Sequence, residues 1–199
     1  MEARRRGRPR EYDPEIVLGS AIETFLTKGY AATSLDDLAL AMNMNRPSLY
    51  NAFGNKESIY RHALEQFTAT LRKVVGPLLF EPRTLKRSLL AFYAAAMDLY
   101  FADDPPQGCF VFCTAPVEAI SHPEIAADIR TVLDELDSLL KARFEQAQAE
   151  GEFPASSDCA LAAQLAQALL HSIALRARAG DSRRRLNRLA RYGVESVCR

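Results

Sequence analysis

The sequence predicts an all-α protein of about nine helices, with an N-terminal three-helix unit carrying a helix-turn-helix and a larger C-terminal helical unit. Apolar residues recur at spacings of three and four along nearly the whole chain, and no segment alternates with period two. The periodic stretches are broken by DDPPQG, SHP, EGEFPASSD and AGD, all of them turn-forming. With 199 residues and 48% apolar content the chain can bury a sizeable core.

Pro14, one residue after Asp13, starts a first helix in the order cap then first turn, and Gly29 closes it. Its expected inner face is Ile16, Val17, Ala21, Phe25 and Leu26. Ser34 caps a second, short helix with Asp36 and Asp37 in its first turn, where carboxylates favour the positive end of the dipole. Asn43 suits a left-handed turn. Asn45 caps a third helix, which explains Pro47: in a first turn its missing N–H has no intrahelical partner to lose. Gly54 ends that helix and Asn55 caps the next, so the third is about two turns long. Leu49 and Phe53, four apart, point it inward. A long helix is expected from Lys56 to about Val75, stopped by Gly76-Pro77. Further helices are expected near 83–102, 109–120, 123–150, 157–179 and 182–198.

Two short helices joined by a tight turn, with a helix packed behind them, are the parts of a helix-turn-helix. The second helix of such a motif needs small or polar outward residues so that it can approach base edges in the major groove. RPSLYN supplies them: Arg46 suits a guanine edge, Asn51 an adenine, and Ser48 is small. Tyr50 and Thr33 offer hydroxyls to phosphate, and Lys56 stands at a helix N-terminus. The same pattern also fits an ordinary helical hairpin with a solvated polar face.

Charge is unevenly spread although the formal net charge is zero. Residues 1–10 hold five arginines against one glutamate, whereas nine carboxylates face one arginine between Asp98 and Asp137. The leader RRRGRPR has no apolar residue for packing, so Arg5, Arg6, Arg8 and Arg10 suit an extended arm in a minor groove. A solubilising tail is the alternative. The leader lacks an apolar run, and no uncharged apolar stretch of ~20 residues exists, so neither a secretory signal nor a membrane span is expected. The four cysteines form no CxxC pair, which points to the cytoplasm rather than to a disulfide framework. No spacing of His, Cys and carboxylates predicts a metal, no phosphate loop predicts a cofactor, and no nucleophile–base pairing predicts an enzyme.

The stretch TSLDDLALAMNMNRPSLYNAFGNKESIY (33–60) resembles the DNA-binding signature of the tetracycline-repressor (TetR) family of transcriptional regulators. The matching features are Thr33, Leu38-Ala39, Leu49-Tyr50, Phe53 and Asn55-Lys56-Glu57, and GCFVF resembles the start of a mid-chain helix in many members. The chain departs from the family at Asn43, where glycine is usual, and at Pro47, Asn51 and Ala52. The resemblance implies an arm at 1–11, a DNA-binding domain at 12–70 and an effector-binding and dimerisation domain at 71–199. It implies a homodimer that binds a near-palindromic operator in double-stranded DNA and is released by a small molecule. Thr33, Tyr50 and Lys56 would touch phosphates, while Arg46, Ser48 and Asn51 face the groove. Ser34 and Pro47 complete the expected DNA-binding set.

For the body, the aromatic and sulfur-containing residues Phe92, Tyr93, Met97, Tyr100, Phe101, Cys109, Phe110, Phe112, Cys113 and Phe144 are the expected walls of an effector pocket, suited to an apolar or aromatic ligand. Core packing is the competing reading of each. Cys109 and Cys113 share one helical face and would be a redox or electrophile switch if exposed and lowered in pKa. The expected dimer interface is Leu165, Leu169 and Ile173 on one helix with Leu186, Leu189, Gly193, Val194 and Val197 on the next. An architectural DNA binder without an effector is the second reading.

Overall fold

The computed structural model describes residues 13–199, so the arginine arm (Arg5, Arg6, Arg8, Arg10) lies outside the described residues. These residues form nine α-helices and no strand: α1 (Pro14–Lys28), α2 (Leu35–Ala41), α3 (Arg46–Phe53), α4 (Lys56–Phe80), α5 (Leu85–Tyr100), α6 (Phe110–Glu118), α7 (Pro123–Ala149), α8 (Cys159–Arg178) and α9 (Arg183–Val197). They divide into two compact units on either side of Ala63, the second being residues 64–199, with the division inside α4.

In the first unit the local chemistry acts as the sequence predicts. Asp13 caps α1 through the Glu15 N–H at 2.9 Å, and Gly29 ends it at φ 77°. Ser34 and Asp37 form a reciprocal capping box on α2, each side chain accepting from the other's backbone N–H. Asn43 takes φ 50° in the turn, and Asn45 accepts the Ser48 N–H at 2.8 Å to cap α3. Asn55 does the same for α4 through Ser58. One expectation for α1 is corrected: Ile16 is exposed, and Leu18 takes its place on the face with Val17, Ala21 and Phe25. At 3.6 residues per turn, Leu18 lies closer than Ile16 to the line through Ala21 and Phe25.

Aromatic rings hold this unit together. Phe25 of α1 and Tyr60 of α4 meet edge to face with centroids 5.0 Å apart, and Tyr30 from the α1–α2 turn meets Tyr60 at 5.0 Å. Leu38, Leu49 and Ile59 complete a core from which water is excluded.

The second unit is organised around α8, which packs against α5, α6, α7 and α9. Ala162, Ala163, Ala166, Ala174 and Ala177 make its buried faces flat enough for close approach on several sides. The Tyr93 hydroxyl donates to the Ala166 carbonyl at 2.8 Å, and the Gln167 amide donates to the Leu133 carbonyl at 2.9 Å. Gly108 is required by contact as well as by its φ of 69°, since a Cβ there would lie 2.6 Å from the Ala174 carbonyl oxygen. Gly76-Pro77 does not stop α4, which continues to Phe80. Pro77 and Lys73, the residue whose carbonyl loses its donor, are both exposed, so water can satisfy that carbonyl. Val75 and Leu79 meanwhile keep the last turns anchored by burial.

Phe25→Ala removes the ring on which both tyrosines rest and is expected to destabilise the protein by about 3–5 kcal/mol, read as a lowered midpoint in thermal denaturation followed by circular dichroism.

Candidate nucleic-acid interface

Every feature of α3 works to display it. Only Leu49 and Phe53 are buried, and Arg46, Pro47, Ser48, Tyr50, Asn51 and Ala52 are all exposed. Eight residues are too few for a stable isolated helix, so α3 depends on its two caps and on those two anchors. Tyr50 is 64% exposed and carries a hydroxyl at the outer surface. The side chains predicted to face the groove are therefore accessible together on one short element.

Three residues of the expected DNA-binding set, two of them (Thr33 and Lys56) expected at phosphates, are engaged within the protein. Thr33 is only 2% exposed, and its hydroxyl donates to the Gly29 carbonyl at 2.6 Å, which ties the α1–α2 turn. The Lys56 ammonium turns inward, donating to the carbonyls of Tyr30 at 3.0 Å and Thr33 at 3.1 Å and lying 4.3 Å over the Tyr30 ring. The Ser34 hydroxyl donates to Asp37 at 2.7 Å within the capping box. All three build the frame that holds α2 and α3.

The charges at this surface carry a feature that the sequence did not reveal. Arg46 is held by both carboxylate oxygens of Asp36 on α2, through Nε and Nη2. Asp37 instead pairs with Lys28 at 2.5 Å, and that hydrogen bond, with those from Ser34, holds its carboxyl well below the usual carboxylate range. The two adjacent acids were read alike, as dipole partners; a ten-residue separation between ion-pair partners on different helices has no periodic signature.

In the second unit a cavity of about 720 Å³ is lined by Leu71, Arg72 and Val75 of α4, Phe92 and Ala96 of α5, Val111 and Phe112 of α6, Val132, Leu136 and Leu139 of α7, and Leu170 of α8, among others. Of the ten residues expected there, Phe92 and Phe112 line it and the other eight do not. Tyr93, Met97, Tyr100, Cys109, Phe110 and Phe144 are buried in the core, while Phe101 ends α5 and Cys113 is half-buried. The reason is that α5 buries two faces: Tyr93 turns to α8, whereas the adjacent Phe92 turns to the cavity. Burial pushes the Cys109 thiol up to about 12 and raises that of Cys113, so neither is a poised thiolate. Several polar groups of the wall are engaged within the protein: Arg72 pairs with Glu135 at 2.5 Å, Thr68 donates to the Leu64 carbonyl, and Ser138 donates to the Asp134 carbonyl.

The predicted dimer residues separate into two sets. Ile173, Leu186 and Val194 are buried within the protomer, because the apolar stripe of α9 packs onto α5 and α8 of its own chain. Leu165 is 53% exposed, and Leu169, Leu189, Gly193 and Val197 are partly exposed. Leu161 and Leu175 extend the exposed row on α8.

A capped two-turn helix displayed beside a second short helix, with a frame of aromatic rings behind, defines a helix-turn-helix protein of the DNA-binding class. Residues 17–63 match the bacterial regulatory proteins of the tetR family, and residues 85–192 match the tetracyclin repressor-like C-terminal domain. The chain belongs to the tetR family of bacterial regulatory proteins. It is 29% identical over 186 residues to the HTH-type transcriptional repressor ComR of Escherichia coli, covering 93% of this chain and 89% of ComR. It is 31% identical over 124 residues to the HTH-type transcriptional repressor BdcR of the same organism, covering 62% and 60%. The fold matches that of a CifR cysteine mutant complexed with 26-base-pair operator DNA, at a TM-score of 0.84 and 24% identity over 95% of this chain and 99% of that one. It also matches E. coli NemR in its reduced form, at a TM-score of 0.78 and 19% identity, over 93% and 96%. Among the described residues no helix is long and apolar enough to cross a membrane.

His171 packs against Phe112 of the cavity wall with ring centroids 3.8 Å apart, and burial lowers its pKa from 6.5 to about 4. The unfolded chain therefore takes up a proton between these values that the folded chain does not, so stability falls as pH drops from about 6.5 to about 4. In melting curves across this window, His171→Gln is expected to flatten the loss relative to the native protein.

Proposed function

We propose that the protein is a homodimeric repressor whose α3 helices enter major grooves of a near-palindromic operator and whose grip loosens when an apolar molecule fills the cavity of residues 64–199. The observation that carries this reading is the display of α3: Arg46, Ser48, Tyr50 and Asn51 exposed, Leu49 and Phe53 buried, both ends capped. Repression is supported by the curated relatives named as repressors. The exposed row Leu161, Leu165 and Leu175 on α8 supports a second copy as its cover, since contiguous exposed apolar surface is the mark of an interface. A two-fold dimer then reads two half-sites separated by about one helical turn or a multiple of it.

The effector is an uncharged or weakly polar lipophile. Leucine, valine and phenylalanine side chains form most of the wall, the one arginine is already paired, and Asp134 and Glu135 oppose an anion. One helix, α4, supplies Tyr60 to the first unit's core and Leu71 and Val75 to the cavity wall, which makes it the element through which occupancy reaches the reading helix. A coupling of about 1–3 kcal/mol, roughly a 5- to 150-fold change in operator affinity, is the ordinary scale for such a switch. The basic arm at residues 1–10 adds sequence-independent attraction, and the site of action is the bacterial cytoplasm, where operator DNA lies.

Selection of bound fragments from bacterial genomic DNA is expected to return an inverted repeat. With about eight phosphates contacted per dimer, the log–log salt slope on that site is expected near about −7. Binding to random sequence with the same affinity overturns the reading in favour of an architectural protein. Leu165→Glu is expected to leave the helix content intact while shifting sedimentation from dimer to monomer and abolishing binding to the paired half-sites. Leu139→Trp fills the cavity and is expected to keep operator binding while removing the response to lipophiles, measured as the ligand-induced change in gel-shift affinity.

A further inference from the structure

Asp36 is anomalous on a surface that meets DNA, because a carboxylate there repels phosphate. It lies in the first turn of α2, it is exposed, and its partner Arg46 opens α3. Side-chain exposures of 70% for Asp36 and 61% for Arg46 make the pair a minor contributor to stability. The contact is nevertheless two-pronged: Nε donates to one carboxylate oxygen, and Nη2 donates to the other at 2.5 Å. A fork of this kind fixes the plane of the guanidinium as well as its position.

We infer that Asp36 is a positioning residue that presents Arg46 end-on to a guanine and so fixes one base of each half-site. The inference rests on the proposed reading that α3 enters the major groove. A guanidinium has five N–H donors, and the carboxylate engages Nε–H and one Nη2–H along one edge. The two Nη1–H donors and the second Nη2–H remain, directed away from Asp36. Their spacing matches the O6 and N7 acceptors that guanine alone offers side by side in the major groove. An unheld arginine at this exposed position would swing among phosphates and base edges, gaining affinity for any sequence. Held by Asp36, it loses part of that indiscriminate attraction and keeps the orientation that distinguishes guanine. The neighbouring acid cannot substitute, because Asp37 is engaged by Lys28 and by the cap of α2.

The test uses the full-length protein and compares native, Asp36→Ala and Arg46→Ala chains by selection from a duplex library randomised across the operator, alongside affinity for a random duplex. Arg46→Ala is expected to erase a guanine preference at one position per half-site. Asp36→Ala is expected to reduce that same preference from on the order of 10- to 100-fold to a few-fold. It is also expected to raise random-duplex affinity with an unchanged melting temperature. A merely structural role would lower all binding together and would not produce these opposite signs. If Asp36→Ala keeps the full preference that Arg46→Ala erases, or weakens every sequence equally, the positioning role is overturned while base reading by Arg46 stands. If Arg46→Ala selects the native site unchanged, the underlying reading of Arg46 fails and the inference with it.

Discussion

Lys56 and Tyr30 set the constraint from which the reading surface follows. Residues 29–34 must reverse the chain between α1 and α2, which leaves backbone carbonyls at the turn without helical donors. The ammonium of Lys56, at the start of α4, reaches back to the carbonyls of Tyr30 and Thr33 and rests over the Tyr30 ring. That ring packs on Tyr60, which packs on Phe25, so the turn, α1 and α4 become one block. Held against this block, α2 and α3 need no length of their own. Their seven and eight residues can present polar faces to solvent because the aromatic core stabilises them from behind.

Among the described residues of this unit, charge is organised by pairing rather than by accumulation. Asp37 closes the cap of α2 and holds Lys28; Asp36 holds Arg46; Lys56 is turned to carbonyls. Lys28, Arg46 and Lys56 are therefore each engaged within the protein. In the proposed reading, discrimination depends on the direction of the Arg46 guanidinium, on Ser48, Asn51 and Tyr50, and on the fit of a short helix. The second unit follows a related logic: Arg72 and Thr68 of the cavity wall are engaged within the protein, so in the proposed reading an occupant is chosen by shape and apolar area.

Much of the fold was legible in the sequence because it is written locally. Ser34, Asn45, Asn55, Gly29, Gly54 and Asn43 each perform the cap or turn that their chemistry suggests, and they fix the helix-turn-helix within a residue or two. Display of α3 followed from the same reasoning, since only Leu49 and Phe53 could anchor it. The errors occurred where partners are distant. Pro77 was read as a stop, but it lies on a wet face where a lost hydrogen bond costs little. Phe92 and Tyr93 are adjacent aromatics on α5, both expected at the pocket; only Phe92 borders the cavity, since periodicity does not say which of two buried faces does. Leu186 and Val194 belong to the stripe expected of an interface, yet α9 uses that stripe on its own chain, and Ile173 of α8 is buried within the protomer as well. Thr33 suggested a hydroxyl for phosphate and Lys56 an anion site at a helix N-terminus, but both side chains turn inward to backbone carbonyls of the frame.

Hydroxyl-radical footprinting of the selected operator tests the central claim most directly, because it maps where each protomer's reading helix meets the duplex. Two short protected patches on one face of the DNA, related by the symmetry of the inverted repeat and centred about one helical turn or a multiple apart, are the predicted result. A single uninterrupted protected tract, or protection on opposite faces of the duplex, would contradict it.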